Sequence, residues 1–303
     1  MQIDQFARPM SPDSDILDWM ASLPTVAGRT NAATTFKVVV EALGVAKSRD
    51  LSRIWGIGPH VIKYGLSPLI IDLIEKGWVS AMATSGAGAI HDIEIALIGE
   101  TSEEMSSRIA TGDFGMAQET GELLSRSAAL AAQRGVGYGQ AIAEVLEETG
   151  APYREHSLLW QAFNQDIPMT VHVAFGTDIV HMHPSMNGAT TGEATLTDFA
   201  ILAAAVDNLA GGGVHMNVAS SVVLPEVFLK ALTVANNLRS TKEQQPVGGF
   251  LTVAVDQESR YRPLMNVVRR PTEGVGDGRE LLGRLELLLP MLAWALTALS
   301  DLE

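Results

Sequence analysis

Five apolar runs of strand length constrain this chain more than any other feature: 52–58 (SRIWGIG), 79–83 (VSAMA), 168–176 (PMTVHVAFG), 211–220 (GGGVHMNVAS) and 249–256 (GFLTVAVD). Helix-length segments separate them, and parallel strands need crossover connections of that kind. The runs are apolar at consecutive positions, so helices are expected on both faces of the sheet. The pattern predicts an α/β fold, a Rossmann-like, doubly wound, mostly parallel sheet of five or more strands. Ligands of such sheets sit outside the carboxyl ends of the strands. Those ends are 56–60, 84–92, 176–192, 217–221 and 256–262, and glycine and polar residues gather at all five.

The stretch 78–94, WVSAMATSGAGAIHDIE, shows the arrangement most clearly. Its apolar run breaks at Thr84-Ser85-Gly86-Ala87-Gly88 and resumes as a helix carrying His91, Asp92 and Glu94. A helix start presents unpaired backbone N–H groups and the positive end of the helix dipole, which suits a phosphate or another anion. The competing reading is a tight strand-to-helix turn with a solvated acidic helix end, since the glycine pattern lacks the third glycine of a dinucleotide fingerprint.

The loop after the third run holds Asp178, His181, His183, Asn187 and Glu193, with His172 on the strand before it. Three histidines and a carboxylate could ligate a divalent metal. Their spacing matches no strict metal signature, so a metal is not expected, and one histidine could instead act as a general base. There is no G-x-S-x-G elbow and no Walker lysine motif, which sets aside serine hydrolases and P-loop NTPases. After the fifth run, Arg269-Arg270 could clamp a phosphate or carboxylate, or pair with nearby glutamates. Lys63, one turn into the helix opened by Pro59, reads as a surface lysine.

A net charge of -14 over 303 residues argues against nucleic acid as a partner and is compatible with a cationic small-molecule substrate. The absence of cysteine removes disulfides, thiolate zinc sites and cysteine nucleophiles together. No basic, apolar leader opens the chain, so a cytoplasmic protein is expected. The apolar segment 281–299 is broken by Gly283, Arg284, Glu286 and Pro290, which makes it a buried or interface helix and not a membrane span. Residues 1–30 read as an arm and a helix (15–23), and 31–303 as one domain ending in that apolar helix. A helix is expected over 31–46 with Asn31 as its cap, and a capping segment at 101–104.

From about residue 55 to 271 the order and spacing of these motifs resemble the deoxyhypusine synthase family. The 84–88 turn running into His91-Asp92 is similar to that family's Thr-Ala-Gly-Gly turn running into Glu-Glu-Asp. Met186-Asn187-Gly188-Ala189 followed by Gly192-Glu193 is similar to its Thr-Asp-Gly-Ser and Gly-Asp segments. Gly211-Gly212-Gly213, followed by His215 and Asn217, resembles its triple glycine before Lys-His. The resemblance implies an NAD-dependent, Rossmann-like enzyme, a homo-oligomer (dimer or tetramer) with active sites at dimer interfaces. It implies that Thr84, Ser85, Gly86, Gly88 and Gly211–Gly213 hold NAD, and that Glu193 and Asp92 face a cationic substrate; Asp256, at the end of the fifth run, is a further candidate for holding the cofactor.

One departure matters. The family's catalytic lysine motif falls here on Arg269-Arg270-Pro271, and an arginine cannot form the imine that a lysine forms. The expectation is therefore an NAD-binding enzyme that oxidises a small amine or amino-acid-like substrate transiently and transfers a group, without deoxyhypusine synthesis itself. His91 or His215 would move the proton, while Asn187, Asp178, Arg269 and Arg270 would bind substrate. The alternatives are a metal-dependent hydrolase or lyase built on His172, His181 and His183, and a non-catalytic NAD-binding paralogue.

Overall fold

The computed structural model describes residues 32–102, 105–112 and 114–300, together with Ile16. Six strands form one sheet: β1 (Arg53–Ile57), β2 (Ala81–Ser85), β3 (Met169–His172), β4 (Val214–Val218), β5 (Leu251–Asp256) and β6 (Asp277–Leu282). Every pairing is parallel and the order is β3-β2-β1-β4-β5-β6. This is the doubly wound order, in which the connections reverse direction between β1 and β4 and open a crevice at their carboxyl ends.

Helices α1 (Ala32–Ser48), α2 (Pro59–Lys63), α3 (Ser67–Glu75) and α4 (Gly86–Ile98) surround the first strands. They are followed by α5 (Met105–Thr111), α6 (Gln118–Arg134), α7 (Tyr138–Thr149) and α8 (Leu158–Asn164). The chain then continues through α9 (Gly188–Asp207), α10 (Val223–Thr241) and α11 (Leu285–Ser300). Strand alternation divides the core. Trp55, Ile57 and Met82 join the cluster beneath α1, α3, α4 and α11, whereas Ile54, Ala81 and Ala83 join the cluster beneath α9 and α10. The first five strands are buried along their whole length, which is why they were legible as continuous apolar runs.

The sixth strand lies outside the five apolar runs but within the expectation of five or more strands. β6 is half-exposed and carries Asp277, Arg279 and Glu280, because it pairs on one side only. Charges on an edge strand discourage pairing with another chain, and they also hide the strand from a search for apolar runs. The opposite edge is protected differently. Asp198 of α9 accepts from the N–H of Val171 at 2.7 Å, and Thr195 accepts from Val173 N–H at 3.0 Å. The expected 31–46 helix is α1, while Asn31, the arm and the 15–23 helix lie outside the described residues apart from Ile16. Among the described residues no helix is long and apolar enough to cross a membrane.

Candidate active site

Parallel strands place all five expected loops at one edge of the sheet. There α4 begins directly on β2, and Ser85 caps it by accepting from Gly88 N–H at 3.3 Å. Gly88 is needed because a Cβ would lie 2.0 Å from Thr84 Oγ1, which itself donates to the Ile57 carbonyl at 2.8 Å. One turn further, His91 and Glu94 share a face of α4, as i and i+3 must. Thr101 completes a relay: its hydroxyl donates to Glu94 Oε2 at 2.5 Å and lies 2.7 Å from His91 Nδ1. With the hydroxyl proton spent on Glu94, His91 Nδ1 must be the donor to Thr101. That leaves Nε2 as the basic nitrogen, without a partner among the described residues. Burial would push the Glu94 carboxyl up, but hydrogen bonds from His91, Thr101 and the Ser102 N–H hold it below the usual range. Of the expected capping segment 101–104, Glu103 and Glu104 lie outside the described residues, and the Thr101 hydroxyl belongs to the relay.

His91 and Glu94 line a cavity of about 200 Å³ that also receives Lys63 from the end of α2 and Asp178 from the loop after β3. Asp178 does something the sequence did not announce. Its carboxylate accepts from the Ala87 N–H in the first turn of α4, and a Cβ on Gly86 would meet Asp178 Oδ2 at 2.0 Å. The helix start expected to hold a phosphate is therefore filled by a carboxylate of the chain itself. His181 braces this loop: its Nδ1 accepts from Gly176 N–H (3.1 Å) and Asp178 N–H (3.2 Å), so its proton is on Nε2, 3.8 Å from Asp178 Oδ2.

No protein-family model matches the chain, and no curated protein sequence matches it at a significant level. Its backbone does match solved structures. The ternary complex of AgrE with ornithine and NAD+ superposes with a TM-score of 0.56 at 15% identity, over 92% of this chain and 35% of AgrE. A conserved candidate LOR/SDH protein from Methanococcus maripaludis S2 gives 0.54 at 18% identity, over 96% of this chain and 74% of that one. A candidate deoxyhypusine synthase from Entamoeba histolytica gives 0.52 at 10% identity, over 95% of both chains. The fold is that of the deoxyhypusine synthase-like proteins. The chain spans only 33–35% of the ArgZ and AgrE chains it matches.

Several sequence-derived roles do not survive the deoxyhypusine synthase-like fold. Gly211, Gly212 and Gly213 precede β4, so they lie at the amino edge of the sheet, about 16 Å (five residues) along the strand direction from the 84–88 turn. The two turns cannot share a ligand cavity as expected. His215, second in β4, is buried at that same end, stacked on Phe228 at 3.9 Å, and neither ring nitrogen has a partner. Its pKa is pushed down to about 3 by burial, which makes it a neutral core histidine and not a proton carrier. Asp92 faces away from the cavity. It is fully buried and accepts from Ser157 Oγ (2.5 Å), Leu158 N–H (2.7 Å) and Leu159 N–H (3.1 Å), capping α8.

Other residues stand apart from the cavity as well. Asn187 caps α9 at 3.0 Å from the Ala189 N–H, and Glu193 is exposed on that helix. Arg269 ends and Arg270 caps a π-helical turn, Leu264–Arg269, that packs beside β5 and β6. Arg270 there donates to Asn266 Oδ1 at 2.7 Å. They border a wider cavity of about 860 Å³ beside β6, away from His91. The three metal-ligand candidates are separately engaged: His172 with Thr170 (2.9 Å), His181 as above, and His183 with Ser185 (2.7 Å). No group of three or more candidate ligand side chains comes together among the described residues. Asp256 is where expected, at the carboxyl end of β5, within 3.4 Å of the Ser221 hydroxyl and 3.5 Å of Arg260.

Proposed function

We propose that this chain is an NAD-binding enzyme that acts on a small amine or amino-acid-like substrate by transient oxidation and group transfer, short of deoxyhypusine synthesis. The observation that carries this reading is the relay: Glu94 and Thr101 fix the tautomer of His91, and Nε2 is left as a base at the ligand-binding edge of a doubly wound sheet. The related AgrE structure, which holds ornithine and NAD+, supports it.

The α4 start does not fit a phosphate while Asp178 occupies it, and the 200 Å³ cavity is too small for a dinucleotide. The reading puts NAD instead at the carboxyl edge of the sheet beside β4 and β5. There the Ser221 hydroxyl and the buried Asp256 carboxylate suit ribose hydroxyls, while the turns at Gly58 and Ala219 pack directly against each other. NAD bound there would supply the hydride acceptor. His91 Nε2 would take a proton from the substrate ammonium and leave a neutral amine, the form that hydride abstraction requires. Thr101 and Glu94 steady the imidazolium that results. Phe114, Ile90 and Ile179 line the same cavity and give it an apolar wall.

The test is calorimetric titration with NAD, followed by NADH absorbance after addition of ornithine, lysine, arginine or a diamine. Heat on NAD addition and NADH with one of these substrates is the expected result. A chain that neither binds NAD nor shifts its melting temperature with it ends the reading.

A further inference from the structure

The cavity beside His91 carries separated, opposite charges. Lys63 Nζ, at its mouth, makes no ion pair or hydrogen bond with any described residue, although two carboxylates line the same space. Glu94 and Asp178 are both largely buried there, with side chains 8% and 7% exposed. Ala87, Ile90, Phe114 and Ile179 add apolar wall to the same cavity. A volume of about 200 Å³ lies below the 300–1,000 Å³ or so of sites for drug-sized ligands, so the occupant is compact.

We propose that this cavity selects a free α-amino acid with a short aliphatic stem and a cationic end. Lys63 holds its carboxylate, and the Glu94–Asp178 side holds an ammonium within reach of His91. The Lys63 ammonium is a point charge suited to a single carboxylate, and the carboxylates lining the same cavity exclude dianionic ligands. The assignment moves carboxylate recognition from Arg269 and Arg270, which border another cavity, to a lysine that looked like surface. It deepens the function proposed above and rests on it for the chemistry, but its binding claim stands alone.

Calorimetry on the full chain, with and without NAD, compares L-ornithine with 1,4-diaminobutane, which has a similar stem and no carboxylate. Wild type is expected to bind ornithine about tenfold more tightly. Lys63→Met should weaken ornithine by about tenfold and leave the diamine unchanged, and Lys63→Arg should restore most of the loss. Equal affinity for the two ligands in wild type, equal weakening of both by Lys63→Met, or no binding of either with or without NAD overturns the proposal. Lys63-dependent ornithine binding without any NADH upholds it and ends the redox reading. NADH formed from the diamine, with ornithine unbound, does the reverse.

Discussion

The carboxylate of Asp178 rests on the first turn of α4 so closely that a methyl group on Gly86 would meet Oδ2 at 2.0 Å. The chain thus provides its own anion at a helix start, the place where a phosphate binds in many doubly wound proteins. The loop 173–187 is held down by this contact and by the His181 brace, and the contact closes one side of the cavity.

If that is so, removing the carboxylate should create an anion site. Asp178→Ala leaves the Ala87 N–H without its acceptor, and inorganic phosphate should then raise the melting temperature of the variant while leaving wild type unmoved. In the absence of phosphate the variant should lose about 1–2 kcal/mol. Thermal denaturation at two phosphate concentrations checks both; equal phosphate responses would show that the helix start is not the site.

The relay makes a graded prediction about catalysis. His91→Gln should lower kcat by about a hundredfold or more, the range of a lost general base. Thr101→Val should cost about tenfold, since it removes the acceptor that orients Nδ1, and Thr101→Ser should recover most of that. Steady-state kinetics on the substrate found by NADH formation decides; a Thr101→Val enzyme with unchanged kcat would mean that the contact is only structural.

Asp92 should behave as structure. Asp92→Ala strands Ser157 Oγ, Leu158 N–H and Leu159 N–H, and should cost about 2–4 kcal/mol. Burial pushes its carboxyl up to about 6 despite those three donors, so Asp92→Asn should be milder than Asp92→Ala near neutral pH. Urea denaturation measures the order. A large loss of kcat in a stably folded Asp92→Asn protein would return the residue to the catalytic list.

The buried histidine gives a pH dependence with a definite sign. Burial lowers His215 to about 3, whereas the unfolded chain protonates near 6.5. Below pH 6.5 the unfolded state therefore binds the proton first, and this contribution to stability falls as pH drops toward 3. Asp198, raised by burial to about 7, and Asp92 act in the opposite sense. The wild-type curve alone is thus a sum, and the variant isolates the term. His215→Phe removes the titration while keeping an aromatic ring against Phe228. Its stability relative to wild type should rise by about 1.4 kcal/mol for each pH unit below 6.5. A constant difference between pH 8 and pH 5 would contradict the assignment.

Much of the architecture was legible because it depends on local pattern. Burial on both faces makes a strand apolar at every position, and the chain direction of parallel strands then sends residues 56–60, 84–92, 176–192, 217–221 and 256–262 to one edge, with no knowledge of side-chain contacts. The same logic, applied strictly, sends Gly211–Gly213 to the other edge, because a turn before a strand and a turn after one lie at opposite ends. The spacing of His91 and Glu94 likewise put them on one face of a helix. Tertiary packing alone decided the rest. Asp92 is one residue from His91 yet points to α8, 65 residues further on, since neighbours on a helix diverge by about 100°. Asp178 reached α4, Thr101 folded back onto Glu94, and β6 joined the sheet with a polar face; each depends on a partner far along the chain, which composition and periodicity do not encode.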